Sequence, residues 1–311
     1  MNWKYKALLQ RVLAATPTGD SIYYQIQRSM GGLKDFRIEQ KLQQALRLLR
    51  GLAEGGGTLF DRRAIEIGTG WTPIIPIMYW LYGQAACATY DLRKLLKPEL
   101  LKSTCRQMIE SQALLAQAPF AVLPERMAEL QKMVAQDWTV TDMLAAMKIT
   151  YHAPCDATKN AGIPDKSVDL VYSNTVMEHV TPTAAEALLR ESHRMLSPGG
   201  TILHLIDMSD HFSHGDNSIT AINFLRYDDK CFARYNSKFM FQNRWRASKW
   251  HQLVEDHGFE IVVWESCLDQ RSKEHLSNLT LAPEFADLEE DDLCTTSVVV
   301  LGKLAQDQAE H

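Results

Sequence analysis

Hydrophobic positions change period along this chain. Over residues 38–52 the apolar side chains Ile38, Leu42, Ala45, Leu46 and Leu49 recur at helical spacing, the mark of an amphipathic helix. Glu54-Gly55-Gly56-Gly57 closes that helix, because glycine accepts the left-handed conformation of a C-terminal cap. The pattern then shortens into apolar runs at residues 64–67, 86–90, 148–152, 168–173 and 201–207. Helical stretches at 73–81 and 183–196 separate some of them, and residues 97–147 form a long helical insertion. A helix at 247–256 and runs at 259–264 and 297–301 complete the chain. Strands alternating with helices predict a doubly wound, Rossmann-like, mostly parallel α/β sheet. Residues 1–60 stand before it as an N-terminal helical extension. Residues 61–311 form the main domain, with insertions at about 97–147 and 208–246.

Composition narrows the function classes. A formal charge of −5, from 33 basic and 38 acidic residues, argues against a dedicated nucleic-acid binder. The six cysteines have no CxxC spacing, which fits reduced thiols in the cytoplasm and predicts no metal centre. Residues 67–90 carry no charge and reach membrane-spanning length. They also contain Gly68, Gly70, Pro73, Pro76, Gly83 and Gln84, so the run breaks into shorter elements and no membrane association is expected. Lys4, Lys6 and Arg11 precede the first acid, Asp20, as in a transit peptide. Trp3, Tyr5, Leu8, Leu9, Val12 and Leu13 instead fit an ordinary amphipathic helix.

Ligands of such sheets sit beyond the carboxyl ends of the strands. After the first run stands Glu66-Ile67-Gly68-Thr69-Gly70, a turn whose glycines let the backbone approach a ligand closely. The third glycine of a dinucleotide fingerprint is absent. The second run ends in Asp91, about twenty residues on, where a carboxylate can hold both ribose hydroxyls and repel a 2′-phosphate. The third leads to Cys155-Asp156-Ala157, with a carboxylate placed for an adenine amino group. The fourth ends in Ser173-Asn174 and continues to Glu178-His179, and Pro198-Gly199-Gly200 precedes the fifth.

In these pieces the chain resembles the class I S-adenosylmethionine-dependent methyltransferases, over about residues 64–207 and again 259–301. The resemblance implies a seven-stranded sheet whose last strand is antiparallel, with S-adenosyl-L-methionine as cofactor. It implies that the Gly68-Thr69-Gly70 turn faces the methionine portion and Asp91 the ribose, with Glu66 also among the cofactor-binding residues. Asp156 and Ala157 would read the adenine, with Ser173 and Asn174 nearby. Dehydrogenases share the first elements, but Asp156 and the Pro198-Gly199-Gly200 turn favour the methyl donor. The fourth strand lacks an Asn-Pro-Pro-Tyr sequence, against nucleobase or glutamine amino groups as acceptors.

Candidate bases follow the fourth and fifth strands. His179 either faces the acceptor or caps and packs the next helix. His211 is the favoured base, since histidine accepts a proton near neutrality, with His214 or Asp210 assisting. The segment Asp207, Asp210, His211, His214 and Asp216 offers metal-ligand types, but in the setting of a turn rather than at shared-ligand spacing. Residues 221–250 interleave seven cations with eight aromatics. They read as a packed segment, a lid over the acceptor, or a single-stranded nucleic-acid platform. The expected activity is methyl transfer to a small-molecule acceptor, at a hydroxyl oxygen, by a chain capable of forming a homodimer. The alternatives are an RNA methyltransferase using residues 221–250 and a cofactor-binding scaffold without catalysis.

Overall fold

The computed structural model describes all residues except 1, 17–18, 30–33, 35, 160–161 and 306–311. Three helices come first: α1 (Trp3–Ala14), α2 (Gly19–Ser29) and α3 (Glu39–Glu54). Then follow β1 (Arg63–Ile67), α4 (Ile74–Leu81) and β2 (Ala86–Tyr90). The helices α5 (Pro98–Glu110), α6 (Gln112–Leu115), α7 (Pro124–Ala135) and α8 (Val140–Ala146) fill the crossover to β3 (Ile149–His152). Next are β4 (Val168–Asn174), α9 (Pro182–Met195) and β5 (Leu196–Asp207), then α10 (Asp229–Phe232) and α11 (Ala247–Asp256). The chain ends with β6 (Phe259–Leu268), α12 (Gln270–His275), α13 (Glu290–Cys294) and β7 (Thr295–Leu304).

The strands form one seven-stranded sheet ordered β3-β2-β1-β4-β5-β7-β6. Strands β1 to β5 pair in parallel, and β7 runs antiparallel between β5 and β6. Chain order reverses between β1 and β4, so a crevice opens beyond Ile67 and Asn174. Side-chain alternation divides the core between the two faces. Leu170, Tyr172, Leu203, Leu205, Val299 and Leu301 pack toward α3, α4 and the α5–α8 helices. Val171, Ile202, Ile206, Val298 and Val300 pack toward α9 and α11.

The uncharged run from residue 67 resolves into a turn, α4 and β2. All eight residues of α4 are buried, as expected of a helix apolar on every side. Among the described residues, no helix is long and apolar enough to cross a membrane.

Three readings change. Residues 1–60 do not behave as one extension: Leu42, Ala45, Leu46, Leu48, Leu49 and Leu52 of α3 belong to the same core as β5 and β7. Helix α1 buries Trp3, Ala7 and Gln10 and leaves Tyr5, Leu8, Leu9 and Val12 at 45–71% exposure. Its docking is set by the Trp3 indole, 4.7–5.9 Å from the rings of Phe212, Tyr227 and Tyr235, and by the Trp3 amide donating to Asp216. Ser197-Pro198-Gly199-Gly200 lies inside β5 as a bulge, between the pairs Val168–Leu196 and Leu170–Thr201, with Gly199 at φ +78°. The acidic run at 284–292 is tied down by its partners: Glu284 pairs with Arg244, Asp291 with Lys273, and Asp292 accepts from Ser248.

Candidate active site

The turn after β1 takes its shape from two left-handed glycines, Gly68 at φ +86° and Gly70 at φ +67°. A side chain at Gly68 would also place its Cβ 2.4 Å from Val176, so strain and sterics both demand glycine. At Gly70 a Cβ would meet nothing within 4 Å, which leaves that side of the turn open. The amides of Gly68 and Thr69 both donate to the Tyr90 carbonyl. Asp91 ties the turn to β2: one carboxylate oxygen accepts from the Gly70 amide at 2.9 Å and the other from the Arg93 amide at 2.9 Å.

Below the turn lies a buried polar chain. The single proton of the Thr89 hydroxyl goes to Glu66 at 2.5 Å, so Thr69, 2.5 Å from Thr89, must donate to it. Glu66 therefore braces the turn from beneath. Burial pushes its pKa up to about 8, against the Thr89 hydrogen bond and the Lys41 ammonium. The folded chain thus keeps a proton that the unfolded chain releases near 4.5. That contribution to stability is whole below the lower value and is lost as pH climbs through the upper one, at up to about 1.4 kcal/mol per unit. Thermal melts over this window should lose stability with rising pH, and Glu66→Gln should flatten the slope. An unaltered slope in the variant would exclude Glu66 as its source.

The remaining expected contacts divide. Asp156 is exposed and one oxygen accepts from the amide and hydroxyl of Thr158 at 2.9 and 2.7 Å, which starts the short turn at Ala157 and lowers the Asp156 pKa. Ala157 itself is buried. Ser173 does not reach the crevice: it is wholly buried and its hydroxyl meets His204 Nδ1 at 2.8 Å. Asn174 donates to Gln44 at 2.9 Å, while its buried Oδ1 has no partner. Lys41 of α3 donates to the Thr175 hydroxyl at 2.9 Å.

Beyond β4 and β5 the structure gathers three histidines. The rings of His179 and His211 are 4.8 Å apart and those of His211 and His214 are 5.0 Å apart. Glu178 borders them at 2% exposure, with neither carboxylate oxygen partnered; burial and then Asp207 raise its pKa well above the carboxylate range. His179 Nδ1 is 2.6 Å from the Phe241 carbonyl oxygen; burial, then the neighbouring His211, lower its pKa to about 4. Asp207 Oδ2 lies 3.3 Å from His211 Nε2, close but outside hydrogen-bond geometry. Burial works against the Asp207 charge, yet His211 and the hydroxyl and amide of Ser209 bring its pKa down to about 2.

Asp210 is not part of this group. Its buried carboxylate accepts from the Phe212 amide and from Asn223 Nδ2, and burial raises its pKa to about 6. It folds the 208–223 loop instead of facing the imidazoles.

The basic and aromatic segment is mostly packed. Phe224, Phe232 and Trp250 are buried, as are Arg244 and Arg246. Both guanidiniums bind backbone carbonyls, Arg244 those of Phe224 and Tyr227, and Arg246 those of Met208, Leu293 and Thr295. Gln242 bridges this segment to the histidine loop, accepting from the His211 amide at 3.1 Å and donating to the Ser209 carbonyl at 2.8 Å. A groove of about 640 Å³ runs between residues 229–252 and 284–288. Neither the glycine turn nor the histidines line it.

Lys41 was not among the residues expected at the site, and Asp207 and Glu178 were noted only as members of their segments, without a role. Asp207 could have been found by the rule that found Asp91, as an acid ending a parallel strand. Lys41 carries no such signal, because only the packing of α3 brings it there.

A family model described as a methyltransferase domain matches residues 124–204. A search of curated proteins returns no match. Similar solved structures include an S-adenosylmethionine-dependent methyltransferase from Mesorhizobium loti, at 15% identity, 82% of this chain, 96% of that one and TM-score 0.45. Another is Haemonchus contortus phosphoethanolamine N-methyltransferase 2, solved with S-adenosyl-L-methionine, at 15% identity, 84% and 52% coverage and TM-score 0.44. A third is geranyl diphosphate C-methyltransferase from Streptomyces coelicolor A3(2), at 12% identity, 85% and 81% coverage and TM-score 0.46.

Proposed function

We propose that this chain is a class I S-adenosylmethionine-dependent methyltransferase and that it moves the methyl group to a hydroxyl oxygen of a small polar acceptor. The observation that carries the acceptor reading is the group of three imidazoles, Glu178 and Asp207 beyond β4 and β5. Such a lining suits a polar molecule with a proton to lose.

Residues of this chain fit the cofactor. The open side of Gly70 and the orphaned Asn174 Oδ1 are unfilled positions along one crevice, and the Asp91 carboxylate, each oxygen holding one backbone amide, keeps further lone pairs beside them. We assign Glu66, Gly68, Thr69 and Gly70 to shaping the turn, Asp91 to the ribose and Asp156 with Ala157 to the adenine. Asp91→Ala should weaken S-adenosylmethionine binding about 10- to 100-fold, the worth of a charge-assisted hydrogen bond. Calorimetry showing wild-type affinity would remove the ribose assignment.

When bound, the sulfonium supplies an activated methyl carbon. The chain must align the acceptor oxygen with that carbon and take up the proton the oxygen loses. His214 is the best-supplied base. Ser209 gives its hydroxyl proton to Asp207 at 2.6 Å. His214 Nε2, 3.0 Å from Ser209, must therefore be a donor, and Nδ1 keeps a free lone pair. Burial and the neighbouring His211 lower the His214 pKa, which keeps the ring neutral and ready to accept. This moves the base from His211 to its neighbour. His211 and His179 are left beside Glu178.

A macromolecular acceptor read through residues 221–250 has less support, since Arg244 and Arg246 are occupied by backbone carbonyls. Free cysteines throughout the described chain accord with the cytoplasm as its place of work. Incubation of a metabolite extract with isotopically labelled methyl donor, followed by mass spectrometry, tests the reading. Label should enter a small hydroxylated compound as a methyl ether. Label confined to RNA or protein would overturn it.

A further inference from the structure

We propose that Glu178, His179 and His211 form a binding site for one divalent ion of the zinc, manganese or iron class. A ligand atom from each residue lies within 4.8 Å of the other two. Ligands sharing one such ion at about 2.0–2.2 Å stand up to about 4.4 Å apart, so small side-chain movements close the site.

Hydrogen-bond arithmetic supplies the stronger argument. The Phe241 carbonyl can only accept, so His179 Nδ1, 2.6 Å away, carries the ring proton. Nε2 is then a bare lone pair, and it faces Glu178 Oε1 at 3.9 Å. At that distance the two are not hydrogen-bonded to each other, and an unprotonated imidazole nitrogen and a carboxyl oxygen stand as neighbouring ligand atoms of one ion would. A distal imidazole nitrogen anchored on a backbone carbonyl is also the usual way a metal-bound histidine is fixed.

Glu178 gives the second, independent indication. It is 2% exposed, and neither of its oxygens has a hydrogen-bond partner. Burying a carboxylate unpaired is costly. The nearby Lys41 ammonium is bonded to Thr175. Among the described residues, the one side chain within ion-pair distance of Glu178 is His179 itself, whose bare nitrogen offers no proton. A bound cation satisfies both groups.

His211 completes the set. Its backbone amide is held by Gln242, and its Nε2 has no hydrogen-bond partner. Asp207 Oδ2, 3.3 Å from that nitrogen, is in reach as a fourth ligand. The turn bearing Glu178 and His179 is clamped by Asn243, whose side chain donates to the Met177 and Val180 carbonyls and whose amide donates to that of Glu178. Such support gives a metal site its geometry. Two imidazoles with carboxylate oxygen select borderline ions over magnesium or calcium, which favour oxygen throughout. The His179 side chain, 36% exposed, leaves a path for the ion and room for a further oxygen ligand.

The experiment is independent of the acceptor. Tag-free full-length protein is dialysed with Zn²⁺, passed through gel filtration and assayed by elemental mass spectrometry; a Co²⁺-loaded sample is read by visible absorption. One equivalent of zinc and a set of cobalt d–d bands are expected. Glu178→Gln and His179→Ala should each weaken Zn²⁺ binding about tenfold or more, while S-adenosylmethionine affinity stays at the wild-type value. His211→Ala serves should either variant fail to fold, and His251→Ala, at the exposed His251–Glu255 pair, should bind zinc as wild type. Wild-type protein without stoichiometric zinc, or ligand variants that bind zinc equally well, would overturn the site.

Discussion

His214→Ala should lower kcat by about 10²–10⁴-fold, the usual contribution of a positioned base, and leave the Kd for S-adenosylmethionine unchanged. The size of the effect follows from the relay behind the ring. Asp207 accepts a hydrogen bond from the Ser209 hydroxyl, Ser209 accepts one from His214 Nε2, and Nδ1 is left to receive a proton. Ser209→Ala should therefore reduce kcat by less, because the imidazole remains but its tautomer is no longer enforced. Single-turnover measurements separate methyl transfer from product release. If His214→Ala transfers methyl at the wild-type rate in one turnover, the proton leaves by another route. A larger loss in Ser209→Ala than in His214→Ala would also defeat the assignment, since a brace cannot outweigh the group it braces.

What the residues reveal on their own depends on whether the determinant is local. Strand β2 and helix α11 fall where residues 86–90 and 247–256 predict them, because apolar periodicity and a flanking glycine or acid are short-range signals. The Gly68–Gly70 turn was legible for the same reason: only a left-handed backbone requires glycine at both positions. The histidine group was half legible. His211 and His214 share a loop, but His179 and Glu178 reach them only because β4 and β5 pair in parallel with Asn174 beside Leu205. That juxtaposition sets the ends of two strands together across a span of about thirty residues, and spacing along the chain does not encode it. Asp210 misled because an acid beside a histidine looks like a catalytic pair. The alternatives, an amide and an asparagine thirteen residues on, become visible only when the loop closes. Residues 221–250 were left open between a packed segment, a lid and a nucleic-acid platform for a similar reason, since composition does not distinguish an arginine facing solvent from one that binds carbonyls.

Arg246→Ala should lower stability by about 3–5 kcal/mol, the cost of leaving several buried carbonyls without their donor after partial relaxation, and lower Tm by on the order of 10 °C. The guanidinium donates to Met208 at 2.7 Å, to Leu293 at 3.0 Å and also to Thr295. It thereby stitches the chain leaving β5 to the α13–β7 junction. Burial draws its pKa down only to about 10, so it stays charged at neutral pH and each carbonyl faces a full donor. Alanine would leave these carbonyls buried without partners, at about 1–3 kcal/mol apiece before relaxation. Lys249→Ala, on the exposed face nearby, should change stability by no more than about 0.5 kcal/mol. An Arg246→Ala protein that melts with the wild type would mean that water or a shifted loop replaces the guanidinium. The Met208 bond also joins stability to chemistry, because Met208 lies between Asp207 and Ser209. Below its lowered Tm, folded Arg246→Ala should lose turnover while retaining cofactor affinity, as the relay slackens but the glycine turn beyond β1 stays intact.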